Sequence, residues 1–87
     1  MTVTPIPKWV AEEIRAEWRP STYIAHRPPV TVAILTVRYN HCDYTGIGIA
    51  RCMPTDTWDI EFGRRVAQVR AERQVLRDII RVEGTGI

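Results

Sequence analysis

Lysine is almost missing from this chain: of its twelve basic residues, eleven are arginine and only Lys8 is lysine. Ten acidic residues leave a formal net charge of +2, an excess too small to draw in nucleic acid by long-range attraction alone. Long apolar runs are missing too. The longest nearly apolar run, Val30 to Val37, falls well short of a bilayer span, and Met1-Thr2-Val3-Thr4-Pro5 has neither the basic nor the apolar region of a signal peptide. A cytoplasmic protein without membrane contact is therefore expected. Cysteine is limited to Cys42 and Cys52, which bracket one expected strand. Extended backbone holds that spacing too far apart for a disulfide, so reduced thiols are expected. A metal site made of His41, Cys42 and Cys52 would want a fourth ligand and a knuckle spacing, so no metal and no cofactor are expected.

Catalytic signatures are absent as well. No Gly-x-Ser-x-Gly elbow, phosphate loop or His-Glu-x-x-His pair occurs. Cys42 adjoins His41, but successive strand side chains point to opposite faces, and the acids form no recognisable spaced pair. A fold of 87 residues with one thin sheet also offers little room for a pocket. These absences point away from an enzyme and towards a protein that acts by binding.

What is present describes an ordinary globular domain, with 45% apolar and 25% charged residues. Residues 1–87 suffice for one domain, which buries only about 60% of its unfolded surface. Pro7 and Pro20 bound a first helix over Lys8 to Arg19. Val10, Ala11, Ile14 and Trp18 share its buried face, while Trp9 lies opposite, either tucked beneath the N-terminal arm, the favoured placement, or exposed for a partner. Ser21 to His26 reads as a short, weak strand ended by Pro28-Pro29. Val30 to Tyr39 is the clearest strand, apolar on both faces as a central strand would be: Val30, Val32 and Ile34 on one, Ala33, Leu35, Val37 and Tyr39 on the other. Turn residues Asn40 to Asp43 lead by a hairpin into Tyr44 to Cys52. There Gly46, Gly48, Ala50 and Cys52 form a small-residue face, and Thr45, Ile47, Ile49 and Arg51 the other.

A long helix runs from Ile60 to about Glu83, with Asp59 or Asp56 as its N-cap and Gly84 as its end. Gly63, Ala67 and Ala71 match the small residues of the preceding strand, so close packing of helix on sheet is expected. The helix carries two apolar stripes: Ile60, Ala67, Ala71, Val75 and Val82, and opposite them Phe62, Val66, Val69, Leu76 and Ile80. Cover by the first helix, or a protein interface, would account for the second stripe. Arg70, Arg73, Arg77 and Arg81 make a basic ridge between the stripes, with Asp78 within reach of Gln74 or Arg81.

Gly63-Arg64-Arg65-Val66-Ala67-Gln68, followed by Ala71 and Val75-Leu76, resembles the second helix of double-stranded RNA-binding domains (dsRBDs). The stretch from Gly46 through Pro54-Thr55-Asp56 to Glu61-Phe62-Gly63 is similar to small dsRBD-like domains of unknown function from actinobacteria and phages. The resemblance implies an α+β fold in helix, strand, strand, strand, helix order, with an antiparallel sheet and both helices on one face. It also implies a small regulatory module, such as a phage-encoded inhibitor or modulator of a host protein in the host cytoplasm. Gln68 stands where a third basic residue is expected, and the Asn40 to Asp43 loop is short for a minor-groove probe. Two kinds of partner follow. A protein, or a second copy in a homodimer, would meet Ile47, Ile49 and Arg51 or the ridge of Arg70, Arg73, Arg77 and Arg81. Nucleic acid would instead meet Arg64 and Arg65, together with the same ridge of Arg70, Arg73, Arg77 and Arg81.

Overall fold

Pro7 sets the first turn of the chain. Its backbone is non-helical, and its carbonyl accepts the amides of Val10 and Ala11 at 3.1 and 3.2 Å, opening helix α1 over Lys8–Glu17. A computed structural model describes residues 6–51 and 60–84. The order is α1, strands β1 (Arg19–Arg27), β2 (Val30–Tyr39) and β3 (Cys42–Arg51), then helix α2 (Ile60–Gly84). The fold is α+β, as expected: three antiparallel strands in the order β1, β2, β3, with a long C-terminal helix packed on the sheet.

Helix α1 ends two residues before the expected Arg19. Pro20 drives Arg19 out of helical conformation, and Trp18, already extended, closes the last turn by donating to the Ile14 carbonyl at 3.0 Å. Strand β1 is longer than expected for the complementary reason. Pro20 has no N–H to give, yet it pairs in register with Val37, because an edge strand needs donors on one side only. Trp9 is 64% exposed and is not tucked away.

The β2–β3 hairpin turns on Asn40 and His41, both with positive φ (49° and 65°), which is the backbone of a two-residue turn matched to the strand twist. Cys42 and Asp43 thus belong to β3. Cys42 is an exposed free thiol, whereas Cys52 and the N-cap candidates Asp56 and Asp59 lie outside the described residues.

One core holds the layers together. Thr31, Ala33, Leu35 and Val37 of β2 and Tyr44 and Ala50 of β3 face Ala67, Ala71, Val75, Leu76 and Ile79 of α2, joined by Ala11 and Ile14 of α1. The buried Thr31 hydroxyl is satisfied by His26 Nδ1 at 3.0 Å. Glycine is required at two contacts: a Cβ at Gly46 would lie 2.3 Å from the Ala71 carbonyl oxygen, and one at Gly48 only 1.8 Å from that of Ala67. The expected small-residue packing of α2 on β3 is therefore what joins helix to sheet.

The far end of α2 is clamped to the hairpin by one carboxylate. Glu83 accepts from Asn40 Nδ2 at 3.0 Å and from the Tyr44 hydroxyl at 3.2 Å. Burial first, then the bond to Glu83 and its charge, raise the Tyr44 hydroxyl above its ordinary pKa. Burial and the charges of Glu17, Glu83 and Glu13 do the same for Tyr39. Because the folded state holds these protons more tightly, their contribution is complete below the unfolded tyrosine pKa of about 10 and is lost as pH rises through the higher folded values. The domain is expected to lose stability above that point. Tyr44→Phe should flatten the loss, as read from urea midpoints across alkaline pH. An alkaline profile identical in the two proteins would refute this.

Candidate functional site

Strand alternation sorts the sheet into a covered and an open face. On the open face the register stacks cross-strand rows: Arg27, Val30 and Arg51; Ala25, Val32 and Ile49; Tyr23, Ile34 and Ile47; Ser21, Thr36 and Thr45; Arg19, Arg38 and Asp43. Val30 and Val32 are half-buried by their neighbours, and the rest are exposed. Tyr23 at 65%, Ile34 at 36%, Ile47 at 51% and Ile49 at 48% leave a continuous apolar band across all three strands. Large apolar side chains gathered in this way on a solvated face mark an interaction surface more often than the same residues scattered singly.

Charge frames the band. Arg27 and Arg51 close one end, and Arg19 and Arg38 the other, where Asp43 meets Arg38 at 3.8 Å. At the first end the face dips into an open depression of about 650 Å³, lined by Tyr23, Ala25, Val30 and Val32 and walled by Arg27 and Pro28-Pro29.

Ile47, Ile49 and Arg51 are thus brought together on one face, away from α2, as the strand pattern predicts. The sequence reading missed their companions Tyr23, Val32, Ile34, Arg19, Arg27 and Arg38. The signal is present in β2, whose Val30, Val32 and Ile34 face is apolar, but both helices lie on the other side of the sheet.

The arginine ridge is less uniform than its spacing implies. Arg73 and Arg77 are exposed and make no ion pair among the described residues, while Arg81 pairs with Asp78 at 3.3 Å. Arg70 is exposed but is also engaged within the fold. Its guanidinium donates to the Ile49 carbonyl, and beside it the Ile47 amide donates to Gln74 Oε1 at 2.8 Å. Two α2 side chains thereby cap the outer edge of β3. Arg64 and Arg65 stand elsewhere, with Glu61 and Gln68, around a cavity of about 300 Å³ beside Ile24, and Arg64 lies 3.8 Å from Glu61.

The second stripe of α2 is only partly covered. Leu76 is buried and Val66 and Ile80 half-buried, but Phe62 and Val69 are 65% and 42% exposed. Helix α1 is too short to shield the N-terminal turns; its Arg15 meets Glu72 at 3.4 Å. Among the described residues no cluster of three histidine, cysteine or acidic side chains could hold a metal ion, and no helix is long and apolar enough to cross a membrane.

No protein-family model matches the sequence, and no curated protein matches it. A solved structure does. The crystal structure of Rv2632c, a small mycobacterial protein of unknown function, superposes with a TM-score of 0.70 at 19% identity, over 79% of this chain and 82% of that one. At this identity the likeness is one of fold.

Proposed function

We propose that the domain is a non-enzymatic binding module that docks a protein partner on the open face of its sheet. The observation that carries this reading is the exposed apolar band of Tyr23, Ile34, Ile47 and Ile49 set between arginine-bearing ends. Apolar centres framed by polar rims are the anatomy of protein interfaces, and arginine is enriched in them. Charge narrows the partner. Four arginines and one aspartate give the rows of this face a net charge of +3, so a second copy would bring +3 against +3. A partner with an apolar centre and acidic margins is complementary. A regulatory module of the inhibitor type fits this surface.

The resemblance to dsRBDs supports a second reading, duplex RNA held by Arg64 and Arg65. It is weaker, because Glu61 shares their cavity and neutralises Arg64, Gln68 adds no charge, and the β2–β3 turn is two residues long.

To test this, protein captured by the immobilised domain is purified and titrated against wild type, Ile47→Asp and the double variant Arg73→Glu, Arg77→Glu. Ile47→Asp should weaken binding about a hundredfold by placing a charge at the centre of the contact, and the double variant should bind as wild type. Light scattering should show a monomer at low and high salt. Equal affinity of Ile47→Asp and wild type would overturn the proposal. A salt-sensitive mobility shift of duplex RNA, lost on changing Arg64 and Arg65 to glutamine, would put the RNA reading in its place.

A further inference from the structure

The two edges of the sheet are treated differently. Ile47 and Ile49 of β3 direct their backbone groups outward, to Gln74 and Arg70, so Gly46, Gly48 and Ala50 are the residues that bond to β2. Following the register across β2, the pairs Tyr23 with Ile34 and Ala25 with Val32 exchange the β1–β2 bonds, and Pro20, Thr22 and Ile24 face outward. Among the described residues nothing bonds to the outward amides and carbonyls of Thr22 and Ile24. One edge is capped by side chains of α2, and the other offers a ladder. Uncovered edges of this kind accept an added strand.

We infer that the β1 edge is a strand-addition site for an extended, acid-bearing segment of a protein partner; the inference rests on the protein-partner reading above. A second copy of β1 is a poor occupant. The strand holds no acid, and antiparallel self-pairing centred on Tyr23 would set Arg19 opposite Arg27. The acid requirement has a specific place. A residue added opposite Ile24 directs its side chain to the α2 side of the sheet, into the cavity of about 300 Å³ lined by Ile24, Glu61, Arg64, Arg65 and Gln68. Arg64 is engaged with Glu61, and Arg65 makes no ion pair among the described residues. A carboxylate on the incoming strand meets Arg65, while neighbouring positions lie beside Tyr23 and Ala25 and extend the apolar band by one strand.

The probe is a displayed library of random linear peptides, selected on the immobilised full chain. Enrichment of β-branched sequences with an acidic residue is expected. The best synthetic peptide should lose affinity about tenfold or more on Thr22→Pro and on Arg65→Glu. The proline removes only an outward amide, as Pro20 already does, and Arg65→Glu provides a check that leaves the strand intact. Peptide addition should slow amide exchange at Thr22 and Ile24. An absence of enriched peptides, or a peptide insensitive to Thr22→Pro and Arg65→Glu, overturns the inference. Peptides lost on Ile47→Asp but not on Thr22→Pro overturn it too, yet leave the open-face reading standing. Edge-bound peptides together with a captured protein indifferent to Ile47→Asp would do the reverse.

Discussion

Gly48→Ala is expected to destabilise the domain by about 3 kcal/mol, the upper end of what overpacking ordinarily costs. The added methyl would lie 1.8 Å from the Ala67 carbonyl oxygen and 2.6 Å from the Ala71 amide nitrogen, both backbone atoms that no rotamer change can move. Helix α2 must lift off β3. That movement breaks the close approach which also lets Gln74 and Arg70 reach the β3 edge. For a domain of this size each kcal/mol lowers the melting temperature by roughly 4–8 °C, so a fall of roughly 12–24 °C is expected. Gly46→Ala should follow the same course less severely, since its nearest contact is 2.3 Å and its second is a valine methyl that can turn. Thr45→Ala, on the open face, should stay within about 0.5 kcal/mol of wild type. A melting temperature for Gly48→Ala within a few degrees of wild type would mean that the small-residue match is not what sets the helix–sheet distance.

That match was legible in the sequence because it needs no knowledge of the partner. Gly46, Gly48 and Ala50 alternate with larger residues at strand spacing, Ala67 and Ala71 recur at helical spacing, and each pattern asks for a close neighbour. The hairpin was legible too, since Asn40 tolerates positive φ and the apolar runs on either side end there. Where reading failed, the cause was mostly that polarity reports how apolar a surface is and not what covers it. The Val30, Val32 and Ile34 side of β2 has the composition of a core and is the floor of the open face. Arg70 is exposed, as a ridge residue should be, and only the fold shows that it also donates to a strand carbonyl. Strand β1 was under-read because prolines count against a strand, although Pro20 is harmless at an edge whose missing donor faces solvent. The candidate site was half visible: Ile47, Ile49 and Arg51 follow from alternation alone, but Tyr23, Ile34 and the flanking arginines need the register across three strands.

Helix α2 gives the sharpest test of that distinction. Two opposed apolar stripes describe its composition, yet the structure buries one broad face running through Ala67, Ala71, Val75 and Ile79 and on to Leu76. Ile79 belongs to neither stripe and is 1% exposed, among the largest fully buried side chains of the domain, whereas Phe62 leads one stripe and is 65% exposed. Ile79→Ala is therefore expected to cost about 2–5 kcal/mol, because it removes buried methyl groups and leaves a cavity. Phe62→Ala deletes a larger side chain, but one that is 65% exposed, and should cost less than Ile79→Ala. Ile80→Ala, half-buried against the core, should fall between them. Urea midpoints at unchanged m would rank the three. Ile79 lies on the α2 side of the sheet, so under conditions where it remains folded Ile79→Ala should bind any open-face partner as wild type does. A larger loss from Phe62→Ala than from Ile79→Ala would show that the second stripe is core, and that the exposed end of α2 is covered.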